Sequence, residues 1–165
     1  GGLCALEGAL LTANVRRLIL YEPPIVPLLP PGFVERLEAL LKAGDRDGVW
    51  ATMNREIVKM PEHEIALQRG QPAHTARLAG IHVLVYEARA LEHYQFDPVR
   101  YAALTVPTLL LVGGDSPAWA QDATRRLRQA VGSSRVVAMP GQQHIAMDTA
   151  PDLFAREVAA FLNAL

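Results

Sequence analysis

The sequence is poor in cysteine, in net charge and in long apolar runs, and each shortage excludes a class of protein. Its 165 residues contain one cysteine, Cys4, so no internal disulfide can form and no metal site can rest on spaced cysteines. The 16 basic and 17 acidic residues nearly cancel, and no basic cluster is interleaved with aromatic residues, so we expect no nucleic-acid partner. No apolar run approaches the roughly 18 residues that span a bilayer, and no signal-peptide pattern opens the chain. We therefore expect no membrane partner and a cytoplasmic location.

The composition is that of a soluble globular protein, with 50% hydrophobic and 20% charged residues. A chain of 165 residues is long enough for one domain with a sizeable core. It does not begin with Met, from which we expect a fragment or a processed chain.

Two apolar runs near the end of the chain, each followed by polar residues, flank an amphipathic segment. They are VPTLLLVGGDSP at 106–117 and SRVVAMPGQQH at 134–144, and the amphipathic segment lies at 117–131. This order predicts a right-handed βαβ unit, in which both strands end at the same edge of a parallel sheet. Because α/β sheets bind ligands at the carboxyl ends of their strands, Asp115 and His144 become candidate functional residues.

The rest of the chain predicts one further strand and a large helical insertion. Leu18–Tyr21 reads as another buried parallel strand, after a small-residue helix over 1–12. A final helix is predicted over 149–165, with Thr149 as its cap. Between these parts the pattern predicts a proline-rich connector at 23–31 and helices at 32–44, 45–60 and 72–94, with no strand among them.

The predicted fold class is therefore α/β, a parallel sheet with flanking helices and an inserted helical cap. Residues 1–22 and 105–165 would form the sheet and its helices, and 23–104 the cap and its connectors.

Asp115 and His144 each have an ordinary structural explanation when taken alone. Asp115 lies in a G-G-D-S-P turn and can cap the next helix, and His144 lies in a second turn. Taken together, an acid after one parallel strand and a histidine after the next match the end of the Ser…Asp…His order of one hydrolase fold.

From Gly1 to Leu165 the sequence resembles the C-terminal part of an α/β-hydrolase-fold protein. The matching pieces are a small-residue helix after Gly-Gly, L-I-L-Y-E-P-P, a helical cap, V-P-T-L-L-L-V-G-G-D-S-P and P-G-Q-Q-H-I-A-M-D-T-A-P-D-L-F. The resemblance implies Asp115 as the acid and His144 as the base of a catalytic triad. We expect neither a cofactor nor a metal ion.

The nucleophile of such a triad is absent from these residues. In this family it is the serine of a G-x-S-x-G elbow, and Gly1-Gly2 resembles the end of such an elbow. None of the other candidates has elbow context; these are Ser116, Ser133, Ser134 and Cys4, of which the last reads as a small buried residue inside a helix.

Three further features leave alternatives open. Glu22, at the end of the preceding strand, is a rival triad acid, although the Pro-Pro after it favours a structural bend. His63 lies between two glutamates, which fits a solvated turn better than a metal site, because adjacent helical residues point in different directions. Apolar cap residues are candidates for an acyl pocket or, more simply, for core; they are Trp50, Met53, Met60, Val85 and Tyr86.

Two functions remain in competition at this point. The first is part of a serine hydrolase, esterase-like or thioesterase-like, that acts on a small-molecule ester or related acyl substrate. The second is a non-catalytic interaction fragment or a degenerate homologue, which the absent serine favours. The resemblance also implies an open edge at Leu18–Leu20, where the family has the strand that leads into the elbow. Such an edge predicts a partner, either the missing N-terminal half as a separate chain or a second copy. The chain alone is expected to be inactive.

Overall fold

The computed structural model of the protein describes residues 1–164 and divides the chain into two compact units. The first unit contains Gly1–Val26 and the chain from Gln95 onward, and the second contains Pro27–Tyr94. In chain order the elements are α1 Gly2–Ala9, β1 Leu18–Tyr21, α2 Phe33–Lys42, α3 Arg46–Met53 followed by a π-helix Asn54–Val58, α4 Glu62–Gln68, α5 Pro72–Ala79, α6 Ile81–Glu92, α7 Pro98–Tyr101, β2 Thr108–Gly113, α8 Ala118–Ala130, β3 Ser134–Met139, α9 Ala146–Thr149 and α10 Pro151–Asn163.

The first unit contains a three-stranded parallel sheet in the order β1-β2-β3. Leu110 in β2 lies beside Leu20 of β1 on one side and Val136 of β3 on the other. All six residues of β2 are buried, as expected for a central strand of Leu and Val covered on both faces. The predicted parallel sheet with flanking helices is confirmed, and so are the three predicted strands.

Helices cover this sheet and form its core. On one face Leu109 and Leu111 pack with Met139 and with Phe161 of α10. Helix α8 packs against β2 and β3. Its small buried residues, Ala120 and Ala123, allow a close approach of helix and sheet. This packing holds the carboxyl ends of all three strands at one edge.

The regular elements described in the second unit are all helices, as the sequence predicted, but α4 is not among the predicted ones and one predicted helix is wrong in extent. The segment 72–94 forms two helices, α5 and α6, which meet at Gly80. Gly80 has φ −97° and ψ 11°, outside the helical region. A glycine ends a helix easily because glycine loses more backbone conformational freedom in a helix than any other residue. The cap role assigned to this unit remains a prediction.

Helix ends also differ from the predicted ones. Helix α1 stops at Ala9, short of the predicted end at Thr12. Thr149 does not cap α10, because it ends α9 and its hydroxyl donates to Gln142 Oε1 at 2.7 Å. Leu165, the last residue of the predicted final helix, lies outside the described residues. Over residues 1–164, no helix has the length and apolar character needed to cross a membrane.

Candidate active site

The candidate site begins at Glu22, the first residue after β1. Its N–H donates to Leu111 O at 3.2 Å and extends the strand pairing by one residue. Its φ is then +44°, a left-handed conformation that a residue with a side chain adopts at a cost of about 1–3 kcal/mol. This turn takes the main chain away from the sheet into Pro23-Pro24. The Glu22 side chain stays at the sheet edge, with the residue only 1% exposed.

Both carboxylate oxygens of Glu22 are hydrogen-bonded. Oε1 accepts from the N–H of Gly113, at 2.8 Å, and from the hydroxyl of Ser116. Oε2 lies 2.7 Å from Nδ1 of His144. A buried carboxylate costs several kcal/mol unless it is paired and hydrogen-bonded. These three partners, from the end of β2 and from the loop after β3, meet that requirement.

The His144 ring is held between two aromatic side chains. Tyr21 stacks on it with ring centroids 5.8 Å apart and an angle of 27°, and Trp119 meets it edge-on at 5.8 Å. The His144 side chain remains 36% exposed. Because Nδ1 faces a carboxylate, the neutral ring carries its proton on Nδ1. The lone pair of Nε2 can then accept a proton, so Nε2 can act as a base. No hydrogen bond or ion pair to Nε2 occurs within the part of the chain that the structure describes.

Tyr21 fixes the loop that carries His144. Its hydroxyl donates to Gln143 O and accepts from the N–H of Ala146 at 3.2 Å. The pKa of Tyr21 is raised to about 12, chiefly by burial; the Ala146 hydrogen bond lowers it, and the nearby charge of Glu22 contributes to the rise. Tyr21 is therefore a neutral phenol at any physiological pH. Its place in the site is structural.

Asp115 does not meet His144, so the predicted pairing of these two side chains is wrong. Among residues 1–164, no hydrogen bond or ion pair joins them, and His144 pairs with Glu22 instead. The reason lies in the turn after β2. The Asp115 N–H donates to Gln142 O at 3.0 Å, which binds the turn to the His144 loop through its backbone and leaves the Asp115 side chain exposed to solvent.

Gly113 allows this close contact of the two loops. A Cβ at this position would lie 2.3 Å from Gln142 O and 2.5 Å from Ser116 Oγ. The Gly113 carbonyl also accepts from Gln121 Nε2 at 2.8 Å. The sequence motif G-G-D-S-P is therefore a turn that binds a carboxylate, and this carboxylate belongs to Glu22, the residue that follows β1.

The other candidate nucleophiles lie away from His144. The Ser116 hydroxyl donates to Glu22, and that of Ser133 donates to the carbonyls of Leu104 and Val106. Ser134 donates to Val131 O, at the end of the sheet opposite to the site. Cys4 is exposed on α1, which corrects the prediction of a buried residue.

The remaining sequence candidates lie in the second unit, and the choice between an acyl pocket and plain core for its apolar residues stays a prediction. Trp50, Met60 and Val85 are buried in the second unit, whereas Tyr86 is 68% exposed. His63 is exposed, and no group of three or more His, Cys, Asp or Glu suited to a metal ion occurs in residues 1–164.

Sequence reasoning missed the roles of Gly113 and Ser116. Glu22 was weighed as the acid because it follows an apolar strand at the same edge. Nothing in the residue pattern indicates that Gly113 and Ser116 donate to its carboxylate, since 91 and 94 positions separate them.

Comparison with known proteins finds its matches among solved structures. No protein-family model and no curated protein sequence matches the chain. An α/β hydrolase from Sphaerobacter thermophilus DSM 20745 is similar over 99% of this chain, with 28% identity and a TM-score of 0.84. A structure described as a thermophilic esterase and a hydrolase from Pseudomonas aeruginosa PA01 are each similar over 99% of it, both at 20% identity, with TM-scores of 0.74 and 0.71.

This chain spans 64%, 63% and 62% of the lengths of those three structures. Their similarity extends over nearly all of the chain, including the parallel sheet and its flanking helices. The resemblance found in the sequence is thereby confirmed: this protein has the α/β-hydrolase fold.

Proposed function

We propose that His144 and Glu22 are the base and the acid of a serine hydrolase that acts on a small-molecule ester or related acyl substrate. The observation that carries this proposal is the 2.7 Å contact between Glu22 Oε2 and His144 Nδ1. It joins a fully buried carboxylate to a partly exposed imidazole at the carboxyl edge of a parallel sheet. Similar structures described as hydrolases and as an esterase support the reaction class.

The proposed mechanism is acyl transfer to water. A serine oxygen attacks the acyl carbon while His144 Nε2 takes the serine proton, and the same proton then passes to the leaving group. Water repeats the sequence on the acyl-enzyme and restores the serine. Glu22 holds the ring with its proton on Nδ1 and stabilises the imidazolium that forms twice in each cycle.

The proposal assigns the nucleophile to a G-x-S-x-G elbow outside these 165 residues. Within residues 1–164, no strand pairs with the outer edge of β1. We propose that this edge receives the segment that carries the elbow, supplied as a separate chain, or pairs with a second copy.

The helical unit Pro27–Tyr94 is proposed as the cap that selects the substrate. This assignment follows from the resemblance to α/β hydrolases.

The test is ester hydrolysis by the protein together with the segment that carries the proposed nucleophile. His144→Ala should lower the turnover of p-nitrophenyl esters by several orders of magnitude, because the serine loses its base. His63→Ala is the matched control, since His63 is an exposed histidine of the second unit. Turnover that is unchanged by His144→Ala would favour the competing function, a non-catalytic interaction module.

A further inference from the structure

Ser116 contributes a buried hydroxyl to the candidate site although it does not contact His144. The residue is 8% exposed, and its hydroxyl donates to Glu22 Oε1. The same oxygen accepts from the Gly113 N–H at 2.8 Å. Two donors from one turn thus bind one carboxylate oxygen and leave the other, Oε2, directed at His144.

This arrangement determines the orientation of the carboxylate. The last side-chain torsion of a glutamate rotates broadly between two equivalent positions. Donors on Oε1 favour the rotation that places Oε2 2.7 Å from Nδ1 of His144. Hydrogen bonds from an N–H and an O–H to a carboxylate are charge-assisted and about twice as strong as neutral ones.

The position of Ser116 is itself determined by the turn after β2. The Ser116 N–H donates to Gly113 O at 3.2 Å, and the Gln121 side chain donates to the same carbonyl at 2.8 Å. Ser116 Oγ lies so close to Gly113 that a Cβ at position 113 would clash with it. The hydroxyl is therefore placed by the backbone of the turn and by the start of α8.

We infer that Ser116 is a positioning residue that orients the Glu22 carboxylate toward His144. It acts through Glu22 and touches neither the serine nucleophile nor the substrate. The inference rests on the proposed function of the same site, in which Glu22 is the triad acid. It predicts an effect on kcat with little effect on KM, because substrate binding does not depend on this hydroxyl.

The experiment compares three serine variants, with His144→Ala as the reference for a lost base, in the protein together with its nucleophile-bearing segment. Ser116→Ala removes the hydroxyl, and Ser116→Thr keeps one. Ser134→Ala is the matched control, because Ser134 is equally buried, at 7%, and its hydroxyl donates to Val131 O at the other end of the sheet. We measure kcat and KM for a p-nitrophenyl ester and the NMR resonance of the His144 Nδ1 proton.

Ser116→Ala should lower kcat by about 10- to 100-fold, the loss expected for one hydrogen bond to a charged group. KM should stay within about twofold, since only the chemical step is affected. The downfield Nδ1 proton resonance of His144 should shift or broaden in Ser116→Ala. Ser116→Thr should restore most of the kcat and of this resonance, and Ser134→Ala should change neither the kcat nor the resonance.

The measurements distinguish a failure of the Ser116 positioning role from a failure of the proposed function. If His144→Ala abolishes turnover while Ser116→Ala behaves like Ser134→Ala, the positioning role is refuted and the proposed function stands. If His144→Ala leaves turnover unchanged, the proposed function itself fails. A Ser116→Thr variant that is as impaired as Ser116→Ala would also contradict a role for the hydroxyl.

Discussion

Gly113→Ala should damage the site through its geometry alone, since it adds one methyl group and changes no charge. The new Cβ would lie 2.3 Å from Gln142 O, whereas real Cβ atoms come no closer than 3.0 Å. The two groups must therefore separate by at least 0.7 Å, the difference between these distances. Gln142 O belongs to the backbone of the loop that carries His144, so this loop must move or the turn must open.

A movement of 0.7 Å along the line between Glu22 and His144 would lengthen their 2.7 Å contact to 3.4 Å. That distance is outside the range of about 2.7–3.2 Å for a hydrogen bond. A displacement of about 1 Å in a catalytic group can lower the rate by roughly 100-fold. We therefore expect kcat to fall by about 10- to 100-fold, and overpacking to lower the free energy of unfolding by about 1–3 kcal/mol.

The assay is the hydrolysis of a p-nitrophenyl ester by the protein with its nucleophile-bearing segment, at a temperature where thermal melts show both variants folded. Gly132→Ala is the control, because a Cβ at Gly132 would meet nothing within 4 Å. If Gly113→Ala keeps the kcat and the melting temperature of Gly132→Ala, the two loops are not in contact as described, and the reasoning is refuted.

The remaining predictions concern Tyr21, a helix cap and the chain by itself. The pKa of Tyr21 is about 12 in the fold and about 10 in the unfolded chain, so the unfolded state releases its proton first and stability should fall as pH rises from 10 to 12. After allowance for solvent screening, the free energy of unfolding should fall by about 1–2 kcal/mol over this pH range. Urea melts of Tyr21→Phe should lack this fall; an identical fall in wild type and Tyr21→Phe would contradict the assignment of the pH dependence to Tyr21. Asp45→Ala removes the 2.8 Å acceptor of the Gly48 N–H at the start of α3 and should cost about 0.5–2 kcal/mol in denaturant melts, with Asp45→Asn close to wild type; equal loss in both variants would indicate another cause. The 165 residues alone should not hydrolyse p-nitrophenyl esters above background, and sustained turnover by them would show that the nucleophile has been misplaced.

The sheet could be predicted from the sequence because its signal is local. Each strand is a short apolar run that ends in turn residues, a pattern that by itself predicts a parallel strand buried on both faces. The three runs are Leu18–Tyr21, Thr108–Gly113 and Ser134–Met139. Helix ends were less predictable. The break at Gly80 depends on one residue that a helix of this length can also tolerate.

The acid of the site could not be chosen from the sequence alone. Glu22 and Asp115 each follow a parallel strand, and both strands end at the same edge. The choice depends on how far the loop after β3 reaches, and this reach is set by long-range contacts of Gln142 and Tyr21 with other parts of the unit. The Pro-Pro after Glu22 predicted only a bend, yet the bend is what leaves the Glu22 side chain at the sheet edge.

The proposed catalysis requires Glu22, and not Asp115, as the partner of His144, and one comparison of rates tests this directly. In Glu22→Gln the amide oxygen can keep the Gly113 and Ser116 donors only if its NH2 group faces His144, which forces the proton onto Nε2 and disables the base. We predict a fall in kcat on the order of 10⁴-fold, as for an acid-to-amide change in a serine protease triad. Asp115→Asn, which alters an exposed side chain, should leave kcat within about threefold of wild type. The opposite result, with Asp115→Asn inactive and Glu22→Gln active, would contradict the account.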